Sequence, residues 1–361
     1  MRRLLITGGA GFIGSNFVHY WLGAHPGDRV LVLDALTYAG NLSNLDQAQQ
    51  RSEFRFVRGD IGDASLVEVL LRDERLDTIV HFAAESHVDR SIVGPDAFVQ
   101  TNVVGTHSLL KVARKVWLEG RGVRPHRFHH VSTDEVYGSL DVHDAPFTES
   151  TPYAPSSPYS ASKAGSDHLV RAYYRTYGLQ TTISNCSNNF GPYQYPEKLI
   201  PLMIINILQG RALPVYGDGK NVRDWLHVRD HCRAIDLILK SGTPGEVYNI
   251  GGGVEEKNIW LVEKLCEIAA ELFTAHSLAE RFPACPARDL SGARGLITYV
   301  QDRIGHDRRY AIDSSKARRE LGYMPSTDFE NDLRQTFRWF LDNEPWWRGI
   351  QERLKATPPA A

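Results

Sequence analysis

Tyr159 and Lys163, four residues apart in Tyr159-Ser160-Ala161-Ser162-Lys163, can do acid–base chemistry together. On a helix, positions i and i+4 share a face. An ammonium beside a phenol favours the phenolate and should draw the tyrosine below its ordinary value of about 10. Such a tyrosine can take a proton from a hydroxyl while hydride leaves the same carbon. The lysine can also hold a nicotinamide ribose. The Y-x-x-x-K pattern is common by chance, so its setting decides. Here it opens a helical pattern downstream of Ser132-Thr133, where a hydroxyl at a strand end can bind the same substrate oxygen. Asp134 and Glu135 come next. Two carboxylates so close resist ionising together, and one can stay protonated near neutral pH. The pair can therefore supply one acid and one base. The competing reading is a solvated acidic turn.

Hydride needs an acceptor. Thr7 to Gly14 sets Gly8, Gly11 and Gly14 three residues apart, between a strand-like run and a helical one. Gly8 permits a tight turn, Gly11 lets the backbone approach a pyrophosphate, and Gly14 allows close packing of the helix. The helix N-terminus, at Phe12 and Ile13, offers unpaired N–H groups and a positive dipole end. A glycine-rich turn alone specifies no ligand. Asp34 adds what is missing: it ends the second strand-like run, 20 residues after Gly14. An acidic side chain there bonds adenosine ribose hydroxyls and repels a 2′-phosphate, favouring NAD over NADP. Asp60-Ile61 and Phe82-Ala83-Ala84 follow the third and fourth strands and face the cofactor in this topology.

The elements that must carry these residues alternate. Arg3 to Thr7, Arg29 to Asp34, Phe54 to Val57, Thr78 to Phe82, Phe128 to Ser132 and Thr181 to Asn185 read as strands. Phe12 to Gly23, Ala97 to Glu119 and Tyr159 to Tyr177 have helical spacing. This alternation implies an α/β fold with a doubly wound parallel Rossmann sheet. From about Phe190, Gly and Pro punctuate the chain, and a smaller, loop-rich C-terminal lobe is expected over the C-terminal edge of the sheet, where such folds bind ligands. Residues 1–189 read as the NAD-binding domain with the catalytic residues. Residues 190–330 read mostly as the substrate lobe with some return to the sheet: Glu246 to Ile250 as a late strand, Ile259 to Leu272 as a helix. Residues 331–361 read as a C-terminal helix and a frayed tail. Phe273 to Gly295 reads as a surface insertion.

The chain has 361 residues, 42% hydrophobic and 23% charged, with 41 basic against 43 acidic side chains. A net charge of −2 gives no field to gather nucleic acid or an anionic membrane. No stretch reaches the roughly 18 to 20 apolar residues of a membrane span. The N-terminus enters a strand at once with no apolar leader, and Cys186, Cys232, Cys266 and Cys285 lack C-x-x-C spacing. A cytoplasmic protein with free thiols is expected.

Thr7 to Gly14, Ser132 to Gly138 and Tyr159 to Lys163 together resemble the extended short-chain dehydrogenases that act on nucleotide sugars. The resemblance narrows with Leu36 to Asn41, Ala83 to Ser91, Asn185 to Pro192, Pro196 to Pro201, Arg223 to Leu226 and Asp302 to Tyr310. Those runs are similar to the dTDP-glucose 4,6-dehydratase family, over nearly the whole chain. The resemblance implies a lyase that moves hydride from C4 to bound NAD and back to C6. Tyr159 would act at the C4 hydroxyl, Glu135 as base at C5 and Asp134 as acid at C6, with Thr133 and Lys163 beside them. It implies Ala35, Thr37, Ser86, Thr101 and Asn189 as further cofactor contacts. Ala35 departs from the lysine common in the family. Ser86 and Thr133 would touch the sugar. Asn188, Lys198, Leu199, Pro214, Tyr216, Arg223, Asn258, Asp302, His306 and Tyr310 would line the nucleotide-diphosphate site. Arg223 and Lys198 suit a diphosphate on their own chemistry. The resemblance also implies a homodimer.

His129-His130 could suggest a metal, but neighbours in a strand point to opposite faces, so a structural role and no metal site are expected. Trp346-Trp347 reads as local packing rather than a carbohydrate platform. A nucleotide-sugar 4-epimerase or decarboxylase on the same scaffold is the alternative enzyme. It needs no second acid and base, so Asp134-Glu135 argues against it. An NAD-sensing regulator without chemistry should lack Tyr159 or Lys163, and both are present.

Overall fold

The computed structural model of the chain describes residues 1–119, 124–275, 278–302 and 305–356. The tail expected to fray at 357–361 lies outside the described residues. Short runs rich in β-branched and aliphatic residues, walled on both faces, make the central strands. In chain order the first half is β1 (Arg3–Thr7), α1 (Phe12–Ala24), β2 (Arg29–Asp34), β3 (Phe54–Arg58), α2 (Ala64–Asp73), β4 (Thr78–His81), α3 (Val88–Val93), α4 (Asp96–Phe98), α5 (Thr106–Trp117), β5 (Arg127–Thr133), α6 (Pro158–Tyr177) and β6 (Thr181–Cys186). Then come β7 (Asn188–Phe190), α7 (Leu199–Gln209), β8 (Leu213–Tyr216), β9 (Val222–His227), α8 (Val228–Ser241), β10 (Val247–Ile250), β11 (Glu255–Lys257), α9 (Asn258–Ala275), α10 (Leu290–Arg294), β12 (Ile297–Val300), α11 (Ser315–Leu321), α12 (Phe329–Asp342) and α13 (Glu344–Ala356).

Seven strands form one parallel sheet in the order β10-β6-β5-β4-β1-β2-β3. Register is set through its centre by Leu5 opposite Leu31 and Ile79. The strand order reverses between β1 and β4, and open α/β sheets bind ligands in the crevice beyond such a point. One face is covered by α2, α5 and α6, with Trp117 and Phe128 buried beneath; the other by α1 and α8, with Phe17, Trp21 and Ile235. The helix expected from Ala97 to Glu119 is broken by a π-helical turn, Val99–Gly105. There Asn102 turns its amide to the backbone of Glu85, at 2.9 and 3.0 Å, instead of continuing a regular face.

The loop-rich reading beyond Phe190 is corrected in three places. Leu199–Gln209 is a helix, hidden from periodicity because Leu-Ile-Pro-Leu-Met-Ile-Ile-Asn-Ile-Leu is apolar on nearly every side and almost wholly buried. Val228–Ser241 is a helix too, and Val228, Cys232, Ile235 and Leu239 pack it on α1. The segment read as a surface insertion sends Phe282, Cys285, Ala287 and Ala293 into the second core, beside Leu208 and Leu272. Gly210, at φ +63°, lies so close to it that a Cβ would sit 2.2 Å from the Ala284 carbonyl.

That packing makes the segment part of the fold. Phe282, 2% exposed, should cost about 3 kcal/mol or more of stability when cut to alanine. Equilibrium denaturation measures it. A loss within about 0.5 kcal/mol is what a surface appendage would give.

Candidate active site

The C-terminal ends of β1, β2, β4, β5 and β6 open onto one cleft of about 320 Å³, continuous with solvent. The glycine-rich turn forms its floor. Gly8 has φ +70°, and a Cβ there would sit 2.5 Å from the backbone of Ala83; at Gly14 it would sit 2.2 Å from the Gly8 carbonyl. Those two glycines are required by the protein's own packing, Gly14 against the turn itself. Gly11 differs. A Cβ there would meet only the Gly8 carbonyl, at 3.3 Å, and the remaining space is the cleft. No side chain caps α1, and no acidic residue stands in its first turn. Its N–H groups at Phe12 and Ile13 therefore remain available to an anion. Asp34, at the end of β2, accepts from Ala10 N at 2.9 Å and Leu36 N at 2.8 Å, and burial pushes its carboxyl up. Both oxygens keep lone pairs for ribose hydroxyls. A dinucleotide fits this donor set: diphosphate at α1, adenosine ribose at Asp34.

The other cofactor candidates line the same cleft: Ala35 and Thr37 after β2, Asp60 and Ile61 after β3, and Phe82, Ala83, Ala84 and Ser86 after β4. Thr101 reaches it from the π-helical turn and Asn189 from β7.

The catalytic candidates meet at the end of β5. A capping box between Ser157 and Ser160, with Pro158 in the first turn, starts α6 just before Tyr159. Tyr159 and Lys163 are buried and line the cleft with Thr133, Asp134 and Glu135. The Thr133 hydroxyl stands on the same side of the cleft as the Tyr159 phenol, whose charged form it favours, and reaches Asp134 Oδ1 at 3.4 Å. Burial first, then the neighbouring Glu135 and Asp224, push Asp134 well above the carboxylate range, and its Oδ2 is buried without a protein partner.

One expectation is reversed. Lys163 does not draw Tyr159 down. Burial, then the charge of Glu135, raise the phenol well above its ordinary value, and the Thr133 hydroxyl offsets only part of this. The Lys163 ammonium is turned away to Val131 O at 2.8 Å and His130 Nε2 at 3.5 Å. His130 in turn lies 3.2 Å from Asp167. The two adjacent histidines do face opposite ways: His129 meets Thr182 and Ser184 of β6, and His130 meets Ser166 of α6.

The substrate candidates divide. Ser86, Thr133, Asn188 and Lys198 line the cleft, with Lys198 Nζ donating to Ser86 O at 3.3 Å. Leu199, Pro214, Tyr216, Arg223, Asn258, Asp302, His306 and Tyr310 lie beyond this lining. Most gather in an adjoining cluster. Arg223, almost fully buried, donates to Asp307 O at 3.0 Å and stands 4.4 Å over the Tyr310 ring. Asp302 meets His306 Nδ1 at 2.6 Å, Tyr216 packs edge-on to His306, and Asn258 Oδ1 is buried without a protein partner. The clusters touch electrostatically: Arg223 lowers Asp134, and Glu135 raises Tyr310.

Sequence reasoning missed Tyr38, Glu85, Ser187, Gln194 and Tyr195, all lining the cleft. Tyr38 lies within the Leu36 to Asn41 run, and Arg90 stands 3.9 Å over its ring. Gln194 and Tyr195 come from a loop with no local motif, and only tertiary placement brings them in.

The profile of the GDP-mannose 4,6 dehydratase family matches residues 5–336. A dTDP-glucose 4,6-dehydratase of Xanthomonas campestris pv. campestris is 53% identical over 99% of this chain and 100% of its own. One from Neisseria meningitidis serogroup B is 52% identical over 97% of this chain and 96% of its own. Among solved structures, a dTDP-glucose 4,6-dehydratase from Streptomyces venezuelae with NAD bound superposes with a TM-score of 0.85 at 50% identity, covering 96% of this chain and 99% of that one. A UDP-glucose 4-epimerase from Thermotoga maritima shares the scaffold at TM-score 0.80 and 29% identity, covering 95% of this chain and 99% of that one.

The raised Asp134 carboxyl has a measurable sign. It binds a proton in the folded chain that the unfolded chain has lost, so stability falls as pH rises above the ordinary carboxylate range. Asp134→Asn removes that slope. Relative to the unsubstituted chain, the variant should gain stability in chemical denaturation as pH rises above the ordinary aspartate value of about 4. Parallel profiles would mean that Asp134 ionises as an ordinary carboxylate.

Proposed function

This chain belongs to the dTDP-glucose 4,6-dehydratase family, and from that premise we propose that it is a lyase converting dTDP-glucose to dTDP-4-keto-6-deoxyglucose and water with retained NAD. The observation that carries the reading is the Asp134-Glu135 pair in the cleft beside Tyr159, with the Asp134 carboxyl pushed up by burial and by Glu135. A 4-epimerase need only remove and return hydride at one carbon, and nothing in that reaction uses a second acid and base.

When bound, NAD supplies the acceptor for the C4 hydride and later the hydride delivered to C6. The chain's own residues handle protons and position. Tyr159 takes the C4 hydroxyl proton, with Thr133 on the same oxygen; it does so as the phenolate, which burial and Glu135 disfavour in the chain alone and which the positive charge of bound NAD would favour. The C4 ketone acidifies C5, where Glu135 removes the proton and afterwards returns one. Asp134 protonates the C6 hydroxyl, which leaves as water. After one cycle Tyr159 has gained a proton and Asp134 has lost one. The Thr133 hydroxyl, which favours the charged phenol and lies 3.4 Å from Asp134 Oδ1, is the group through which both would be reset. Lys163 and Asp34 would hold the two riboses, and the α1 N-terminus the diphosphate. Arg223 and Lys198 are the cations for the substrate diphosphate, and Tyr216 an aromatic face for the base.

We infer a homodimer as well. Its support is a set of exposed apolar side chains, Val93, Val99, Val104 and Tyr177, on the elements around α5 and α6. A cytoplasmic setting is supported by four cysteines that are all buried and unpaired. No helix among the described residues is long and apolar enough to cross a membrane.

Glu135→Gln tests the assignment. It should lower dehydration by about 10²- to 10⁴-fold and abolish deuterium uptake at C5 from heavy water, while NAD remains bound. Dehydration at a near-normal rate would remove Glu135 from the C5 step.

A further inference from the structure

The indole of Trp346 serves a residue 302 positions away. Its Nε1 donates to Asn44 Oδ1 at 2.7 Å. Asn44 is 2% exposed and joins three parts of the chain. Its Nδ2 donates to Ala10 O at 2.9 Å, and its backbone carbonyl meets His19 Nε2 of α1 at 2.7 Å. Ala10 lies inside the glycine-rich turn. Its carbonyl also accepts from Asn41 N at 3.1 Å, and its own N–H donates to Asp34 Oδ2 at 2.9 Å. A continuous run of hydrogen bonds therefore leads from α13 to Asn44, to the turn beneath the diphosphate position, and to the carboxylate at the ribose position.

The chemistry of the donor matters. An indole N–H can only donate, so it must face the amide oxygen of Asn44. That fixes the amide's orientation and aims Nδ2 at Ala10. Without it the amide is free to rotate, and the turn loses one of its two carbonyl restraints. A second contact points the same way. Trp346 packs edge-on against Tyr193 at 6.0 Å, and Tyr193, at φ +65°, precedes Gln194 and Tyr195, which line the cleft. Trp347 is an internal contrast. It is fully buried, and its indole donates to Phe340 O at 2.8 Å, within the α12–α13 pair.

We infer that Trp346 is a positioning residue for the cofactor: acting through Asn44, it holds the glycine-rich turn in the shape that retains NAD between turnovers. The inference rests on NAD lying in this cleft.

The test compares full-length Trp346→Phe and Trp347→Phe, both of which keep an aromatic ring. NAD per chain is read from absorbance after denaturation, and its release rate after dilution into NAD-free buffer. Losing one hydrogen bond should speed release roughly fivefold in Trp346→Phe, and added NAD should restore its turnover. Trp347→Phe should lower the melting temperature yet release NAD at the unsubstituted rate. Unchanged release from Trp346→Phe, or equally fast release from both, would overturn the inference. Should Trp346→Phe fail to fold, Asn44→Asp keeps the acceptor for the indole and removes the donor to Ala10; it must also speed release, and unchanged release from it would overturn the inference as well. If the unsubstituted chain neither carries nor binds NAD, it is the cofactor reading that fails.

Discussion

Lys163 holds an ammonium at 4% exposure against the end of β5, and burying that charge constrains everything around it. An unpaired buried charge costs several kcal/mol. The chain meets the demand with the Val131 carbonyl at 2.8 Å, with His130 at 3.5 Å, and behind His130 with the buried carboxylate of Asp167. Asp167 in turn accepts from Ser132 Oγ and Tyr153 OH, each at 2.9 Å. The network ties α6 to β5 at the level where Tyr159 must face Thr133 and Asp134. The same burial raises Asp134 and Tyr159, so one environment sets both the geometry and the protonation of the site.

The cofactor half follows a different rule. Its working groups are backbone N–H donors at an uncapped helix end, and they act only if the turn leading to them is held in shape. Gly8 and Gly14 let that turn close on itself, while Gly11 keeps its outer surface clear. The turn is then braced from outside by Asp34, Asn41 and Asn44. Half of the site is thus a buried charge network, and half is a backbone shape held by side chains remote from any reacting atom.

The six strands of the first half and the helices read from Phe12 and Tyr159 were legible because their signals are local: short β-rich runs, glycine spacing, helical periodicity. Asp34, Asp60, Ile61, Phe82, Thr133 and Asp134, which now line one cleft, were legible for the same reason, since each stands at or just past a strand end. What could not be read depends on burial. The sign of the Tyr159 shift follows from desolvation and from where the Lys163 ammonium points, neither of which spacing reports. Leu199–Gln209 hides its helix because it is apolar all round and carries Pro201 in its first turn. Phe282 looked superficial because its neighbours are Arg, Pro and Ala. Trp346 reads as local packing, but its bond to Asn44 joins opposite ends of the chain and leaves no local trace.

The central claim is that one cleft oxidises at C4, removes water across C5 and C6, and reduces at C6 without releasing its cofactor. The most direct measurement incubates dTDP-glucose carrying deuterium at C4 with the purified protein and no added NAD, following product mass and label position. The account predicts loss of one water with the deuterium arriving at C6. Retention of the water with inverted configuration at C4 would contradict it and point to an epimerase; no change even with NAD supplied would contradict the substrate itself.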